Sequence, residues 1–130
     1  SSGMWHRSDG VKAMNSLFDS GVIPDGVVAL NDMLASGVMH AIQMHDYRIP
    51  EDISVIGFDN SDDSQYLSPA LTSIDPGLEA VARLSVKVLK ERIDGREPNG
   101  EHPGRKVFRK VSSSLVMRQS TKLPQESLVV

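Results

Sequence analysis

The chain has 130 residues, 39% of them hydrophobic and 24% charged, with a formal net charge of −3 and no cysteine. That length suits one domain able to bury a core. The lack of cysteine excludes disulfides and thiolate metal sites, and the acidic balance argues against this chain alone gripping nucleic acid. No apolar run reaches the about eighteen residues of a membrane span, and no charged-then-apolar leader opens the chain, so a cytoplasmic protein without membrane contact is expected.

Ser1-Ser2-Gly3 has the composition of a vector scar and is set aside. Ser8 reads as a helix N-cap, followed by an apolar face of Val11, Met14, Leu17 and Phe18, with Gly21 placed to end the helix as its C′ residue. Pro24-Asp25-Gly26 makes a turn, and the wholly apolar Val27-Val28-Ala29-Leu30 reads as a buried strand. Asn31-Asp32 closes it and offers an N-cap for a helix over Met33–Asp46, whose shared face is Leu34, Val38, Ala41, Ile42 and His45. Small Ala35 and Gly37 would allow close packing there. The run Ile53–Phe58, with its β-branched residues, reads as a second buried strand. Strand, helix and strand in about thirty residues form a βαβ unit, so the two strands should be parallel.

The polar run Asn60–Ser64 and Ser68-Pro69-Ala70 belong to a long connection, and Leu71–Ile74 to a short extended piece. Asp75 as N-cap, Pro76 as first helical residue and Gly95 beyond the end bracket a helix with the stripe Leu78, Val81, Ala82, Ser85, Val88, Leu89 and Ile93. Arg96–Gly104 reads as loop; Lys106–Val111 and Ser114–Met117 read as two edge strands, the first carrying a basic cluster that would block pairing. From Gln119 on, no heptad appears and the tail reads as loose. Only two firm parallel strands emerge, fewer than an open α/β sheet usually carries, so the fold class is an incomplete parallel-sheet α/β lobe.

Two polar residues stand out by position. Asn31 and Asp59 each follow a strand of the same βαβ unit, and parallel strands place both on the carboxyl rim where α/β sheets bind ligands. A carboxylate accepts two hydroxyls and a carboxamide both donates and accepts, which suits a sugar diol. Cap and turn duties would account for both residues equally well. Trp5, the single tryptophan, offers a face for a sugar ring or base, or is a simple terminal aromatic. The four histidines have no metal-ligand spacing, no nucleophile elbow or phosphate-cradling glycine loop exists, and Asp62 and Asp63 read as a solvated acidic loop. Neither a cofactor, a metal site nor a catalytic group is expected, although an enzyme using Asp59 as nucleophile or magnesium ligand is the reading furthest from this one.

Four segments carry a family resemblance. Val28-Ala29-Leu30-Asn31-Asp32-Met33-Leu34-Ala35-Ser36-Gly37, Ile49-Pro50-Glu51-Asp52-Ile53-Ser54-Val55-Ile56-Gly57-Phe58-Asp59, Pro69-Ala70-Leu71-Thr72-Ser73-Ile74 and Arg118-Gln119-Ser120-Thr121 resemble, in order and spacing, segments of the LacI/GalR family of transcription regulators. The resemblance runs from about Trp5 to Thr121. It implies a type I periplasmic-binding-protein-like fold in which two lobes clamp a small effector, usually a sugar or nucleoside. It places effector contacts at Asn31 and Asp59, and a ring-stacking contact at Trp5. It also implies a homodimer through Ser36, Met39 and His40 on the helix and Asp63, Tyr66 and Leu67 in the loop.

On that resemblance, residues 4–121 are the C-terminal portion of an effector-binding domain, and 122–130 lie outside it as a loose tail. A helix-turn-helix head, a hinge helix, most of the first lobe and the opening strand and helix of the second have no counterpart in the chain, so operator DNA would be met only through a head the chain lacks. Asp75-Pro76 departs from the polar pair usual there, and the coiled segment of tetrameric members has no counterpart. A periplasmic sugar-binding component of an ABC-type transporter is the alternative with the same fold.

Overall fold

The computed structural model describes residues 5–95 and 108–123. They divide between two compact units, Ser1–Asp75 with Leu115–Val130, and Pro76–Ser114.

In the first unit, helix α1 spans Arg7–Asp19, starting two residues earlier than Ser8 as cap would allow. His6 is the N-cap, and the Asp9 carboxylate accepts its backbone N–H at 3.0 Å, so the acid three positions on satisfies a donor that the helix start leaves open. The C-terminus is as the sequence suggests. Gly21 takes φ +81°, its N–H donates to Phe18 O and that of Val22 to Leu17 O, the paired bonds of a Schellman ending.

Strand β1 is Gly26–Val28, shorter than the apolar run, and it is not buried. Val28 and Leu30 are 68% and 70% exposed, because β1 stands at one edge of the sheet and only Ala29 turns into the core. Helix α2 covers Asp32–Met44, with the Asn31 side chain accepting the Leu34 N–H at 2.7 Å as N-cap. Its buried surface is wider than one stripe: Ala35, Val38, Met39, Ala41 and Ile42 enter the core, while Ser36 and Gly37 are buried as well. A side chain at Gly37 would strike the Arg7 carbonyl, and one at Gly10 the Leu34 carbonyl, so two glycines set how closely α1 and α2 pack. His45, expected on the core face, is exposed; its ring lies 4.5 Å from that of Phe18 and hydrogen-bonds Asn15 Oδ1 at 3.1 Å.

Strand β2, Ser54–Phe58, pairs parallel with β1, Val28 opposite Ile56, as the βαβ reading requires. It alternates rather than being buried throughout: Val55 and Gly57 are covered and Ser54, Ile56 and Phe58 half-covered. The connection is tighter than expected, since Asp62–Tyr66 closes into a 3-10 helix. The extended piece beyond is a full member of the sheet. Strand β3, Thr72–Asp75, pairs parallel with β2, giving three parallel strands where the sequence supported two. Strand β4, Ser114–Val116, completes the order β1-β2-β3-β4. The core is Ile42, Ile53, Val55 and Leu71, all at 0% exposure, with Met14, Ala35 and Met39 around them.

The segment after β4 is not loose. Ser120 is fully buried, its hydroxyl accepts from Thr72 N at 2.8 Å and donates to Val55 O at 2.6 Å, and its carbonyl accepts from Val55 N at 2.8 Å. Arg118 donates to Leu71 O and Asn60 Oδ1, each at 2.7 Å. These bonds tie the chain's late segment to the starts of β2 and β3 and, through Asn60, to the loop after β2. The rest of the expected tail, 124–130, lies outside the described residues.

In the second unit, helix α3 spans Leu78–Ile93. Its N-cap is Gly77 at φ +73°, not Asp75, which is still in β3; a side chain at Gly77 would meet Val111 and Ser112. Gly95 ends the helix at φ +66° as expected. None of the apolar stripe is buried: Leu78, Leu89 and Ile93 are 59%, 59% and 75% exposed. Residues 108–111 form no strand, and the rest of Lys106–Val111 and the loop Arg96–Gly104 fall on residues outside those described.

Candidate functional site

The parallel register sets the site. Ala29 N donates to Ile56 O at 2.8 Å just past β1, and Asp59 N donates to Ile74 O at 2.9 Å just past β2, so both exits open on one rim. Asn31 does not directly follow its strand; Ala29 and Leu30 intervene. Trp5, Asn31 and Asp59 nevertheless line one cavity of about 220 Å³ in the first unit, together with Arg7, Asp32, Ser36, Ser61, Asp63, Ser64 and Leu67.

Each of the three expected residues arrives with different constraints. Asn31 is already employed: Oδ1 caps α2, and Nδ2 donates to Trp5 O at 3.3 Å. The amide therefore orients the backbone of Trp5, whose side chain is 54% exposed. Asp59 sits at φ +104° and Asn60 at φ +49°, a backbone bend that turns the loop sharply off β2. Among the described residues no hydrogen bond reaches the Asp59 carboxylate, which is largely open to solvent. Its carboxyl is held above the ordinary carboxylate value, first by the desolvation it does suffer and then by the charge of Asp32. An acceptor-only group with no protein donor can take hydroxyls from a ligand.

Sequence reasoning passed over Asp32. Its carboxylate is 5% exposed, and accepts from Ser61 N at 2.7 Å, Ser73 Oγ at 2.6 Å and Ser64 Oγ. Gly57 leaves the room, since a side chain there would collide with Asp32 Oδ1. One buried acid thus fixes the loop after β2 to α2 and β3, and so shapes the cavity floor. The signal was the acid beside the cap, which reads first as a helix-dipole partner. Nothing in the sequence singled out Arg7.

The six residues expected to form a dimer surface do not share one exposure. Ser36 is mostly buried at the cavity wall, accepting from Arg7 Nε and donating to Met33 O, each at 2.7 Å, and Met39 at 3% exposure belongs to the core. The reason is that α2 is covered on two sides, by α1 and by the sheet. His40, Asp63 and Tyr66 are exposed, Tyr66 at 75%, and Leu67 is half-buried.

Residues 2–121 match the family model described as a periplasmic binding protein-like domain. The chain is 33% identical over 120 residues to the HTH-type transcriptional repressor PurR of Pasteurella multocida, covering 92% of this chain and 34% of that protein. Among solved structures it is similar to a LacI-type transcription regulator from Bifidobacterium animalis subsp. lactis, at 40% identity and a TM-score of 0.83, covering 93% of this chain and 41% of that one. It is also similar to the lac repressor dimer bound to operator and an anti-inducer (29%, TM-score 0.79, 90% and 38% covered) and to the CelR–cellobiose complex (28%, TM-score 0.75, 89% and 34% covered). The chain spans about a third of the curated relatives' length. With its open parallel sheet, its shared rim and these likenesses, the chain belongs to the LacI/GalR family of transcription regulators, as a C-terminal part of the periplasmic-binding-protein-like domain.

Proposed function

We propose that the chain is the portion of a LacI-type regulator that senses a small hydroxylated effector, a sugar in the first instance, and pairs with a second copy. The observation that carries this is the meeting of Trp5, Asn31 and Asp59 in one cavity at the carboxyl rim of the sheet. Asp59 accepts effector hydroxyls, the Asn31 amide contributes a donor, and the exposed indole of Trp5 covers the apolar face of the ring. A similar solved regulator is described as a complex with cellobiose, which supports a sugar. Residues 4–121 form the effector domain portion, with 122–130 outside it.

Pairing uses His40, Asp63, Tyr66 and Leu67, in keeping with a relative described as a dimer bound to operator. In the whole regulator, effector binding biases lobe closure and so the spacing of two DNA-reading heads, in the cytoplasm where the operator is. The relatives named above are repressors and transcription regulators, which favours this reading over a transport component or an enzyme. The chain by itself binds effector weakly, since a desolvated pocket needs both lobes.

The test is a ¹⁵N-resolved titration with glucose, galactose, cellobiose and adenosine at millimolar concentration. Shifts confined to the Trp5 indole, the Asn31 side-chain amide and the Asp59–Ser61 backbone are expected with at least one of them. Perturbations elsewhere, or none with any probe, would overturn the reading.

A further inference from the structure

At the far end of α1 and α2 from the Trp5 cavity lies a smaller one of about 210 Å³, lined by Phe18, Asp19, Gly21, Ile23, His45 and Tyr47. The two helices start together at the rim, where Arg7 meets Ser36 and Trp5 meets Asn31. They end together here, where the Phe18 and His45 rings lie 4.5 Å apart. Tyr47 stacks on the same phenyl ring at 5.3 Å with an interplanar angle of 17°, so three rings stand in a row with Phe18 in the middle. Phe18 and Tyr47 are half-buried and packed against the core, which fixes their faces before anything binds. The fixed charge beside them is negative. Asp19 lines the cavity, and its carboxylate has no hydrogen-bond or ion-pair partner among the described residues. Asp46, also exposed, stands between His45 and Tyr47. Neither helix carries a lysine or arginine in its last turn, so the negative ends of two dipoles close on one place. No lysine or arginine lines the cavity, and Arg48, next in the chain, is engaged by Asp52 at 3.0 Å.

Ring faces beside an open carboxylate attract a cation. Size and shape say which one. The volume is below the roughly 300 Å³ at which sites for small molecules begin, and suits one inserted side chain. A guanidinium is planar, so it can lie on a ring face while its fork reaches a carboxylate, which a compact ammonium cannot do. We propose that this cavity is a docking site for a partner protein, gripped by one arginine side chain laid against Phe18 and Tyr47 and paired with Asp19. Arginine is a frequent anchor at the centre of protein interfaces, where it is surrounded by contacts that exclude water. Here Val22 and Ile23, 49% and 58% exposed, offer those contacts to apolar neighbours of the arginine. The cavity shares no residue with the one that holds Trp5, Asn31 and Asp59, so the docking site does not depend on the effector reading.

The test uses three blocked tripeptides, leucine–X–leucine with X arginine, lysine or citrulline, the last a neutral copy of arginine, together with butylguanidinium. Each is titrated into the chain and into its Asp19→Asn, Tyr47→Leu and Tyr47→Phe variants, with the ring protons of Phe18 and Tyr47 and the backbone of Asp19–Ile23 as readout. The arginine peptide is expected to bind in the millimolar range and at least about threefold more tightly than the citrulline peptide, the order of one cation over a ring face with an exposed ion pair. Lysine should fall between them, and butylguanidinium below the arginine peptide. Asp19→Asn should cut the preference for arginine over citrulline, and removing an acid from a helix C-terminus does not endanger the fold. Tyr47→Leu should weaken the arginine peptide, while Tyr47→Phe, which keeps the ring face, should not. No shifts with any peptide, equal binding of arginine and citrulline, or a preference unchanged in both Asp19→Asn and Tyr47→Leu would overturn the proposal. Butylguanidinium binding as tightly as the peptide would overturn the protein partner in favour of a small guanidine. The same resonances moving with chain concentration alone would give the surface to a second copy and overturn it too.

Discussion

Asp32 on the first turn of α2 and Ser73 on β3 are joined by a 2.6 Å hydrogen bond across 41 positions of sequence. The same carboxylate accepts from Ser61 and Ser64, so a single buried charge holds three segments that the chain brings together only on folding. Asp32→Ala would strand three donors and is expected to destabilise the first unit by about 3 kcal/mol in urea unfolding. Asp32→Asn should cost nearly as much, because its amide turns a donor toward at least one of them. A loss below about 1 kcal/mol for both would show that the network contributes little.

Asn31 has two roles that one pair of substitutions separates. Aspartate is as good an N-cap as asparagine, so Asn31→Asp should stay within about 0.5 kcal/mol of the parent, while Asn31→Ala loses about 1 kcal/mol. Asn31→Asp also removes the amide donor, so sugar-induced shifts should weaken in a variant whose stability is unchanged. Unaltered binding by Asn31→Asp would leave the residue a cap alone.

Asp59 gives a pH signature whose sign is fixed. Its carboxyl is raised in the folded chain, by desolvation first and by Asp32 second, so the folded state holds its proton in a range where the unfolded state has released it. Stability contributed by that proton is present at acid pH and falls as pH rises from the ordinary aspartate range through the raised value. Asp59→Asn should therefore gain stability relative to the parent between acid and neutral pH. Asparagine also tolerates the positive φ there, an advantage that does not vary with pH, so the pH-dependent part of the difference is the measurement. A difference that stays flat across that range would refute the assignment.

Ser120 should behave as a core residue. Its hydroxyl both accepts from Thr72 N and donates to Val55 O, and Ser120→Ala leaves a buried donor and acceptor unmatched, for a loss of about 2 kcal/mol. A chain ending at Met117 should lose cooperative unfolding by circular dichroism, whereas one ending at Leu123 should keep it.

Self-association should depend on exposed residues and not on buried ones. Tyr66→Asp is expected to shift sedimentation toward monomer at high concentration, and a His40→Asp, Tyr66→Asp pair to do so further. Met39→Leu, a core swap, should leave the association unchanged. A monomer at high concentration in the unaltered chain would remove the dimer from the proposal.

What the sequence by itself determined is whatever depends on neighbours in the chain. Gly21 and Gly95 ended helices because a positive φ is a local demand, and Asn31 capped α2 because its acceptor lies three residues from the N–H it serves. The parallel pairing of β1 and β2 was legible because a helix between two strands leaves them little other geometry, and from it followed the common rim of Asn31 and Asp59. Only the tertiary structure decided the rest. Val28 and Leu30 are exposed because β1 is an edge, Ser36 and Met39 are buried because α2 is covered twice, and β3 is a strand because β2 supplies its partners. Asp32, Arg118 and Ser120 find their partners between 29 and 65 positions away. Hydrophobic period and cap chemistry act over a few residues, whereas a buried charge or hydroxyl is stabilised by whichever groups the folded chain brings to it, and those are not written beside it.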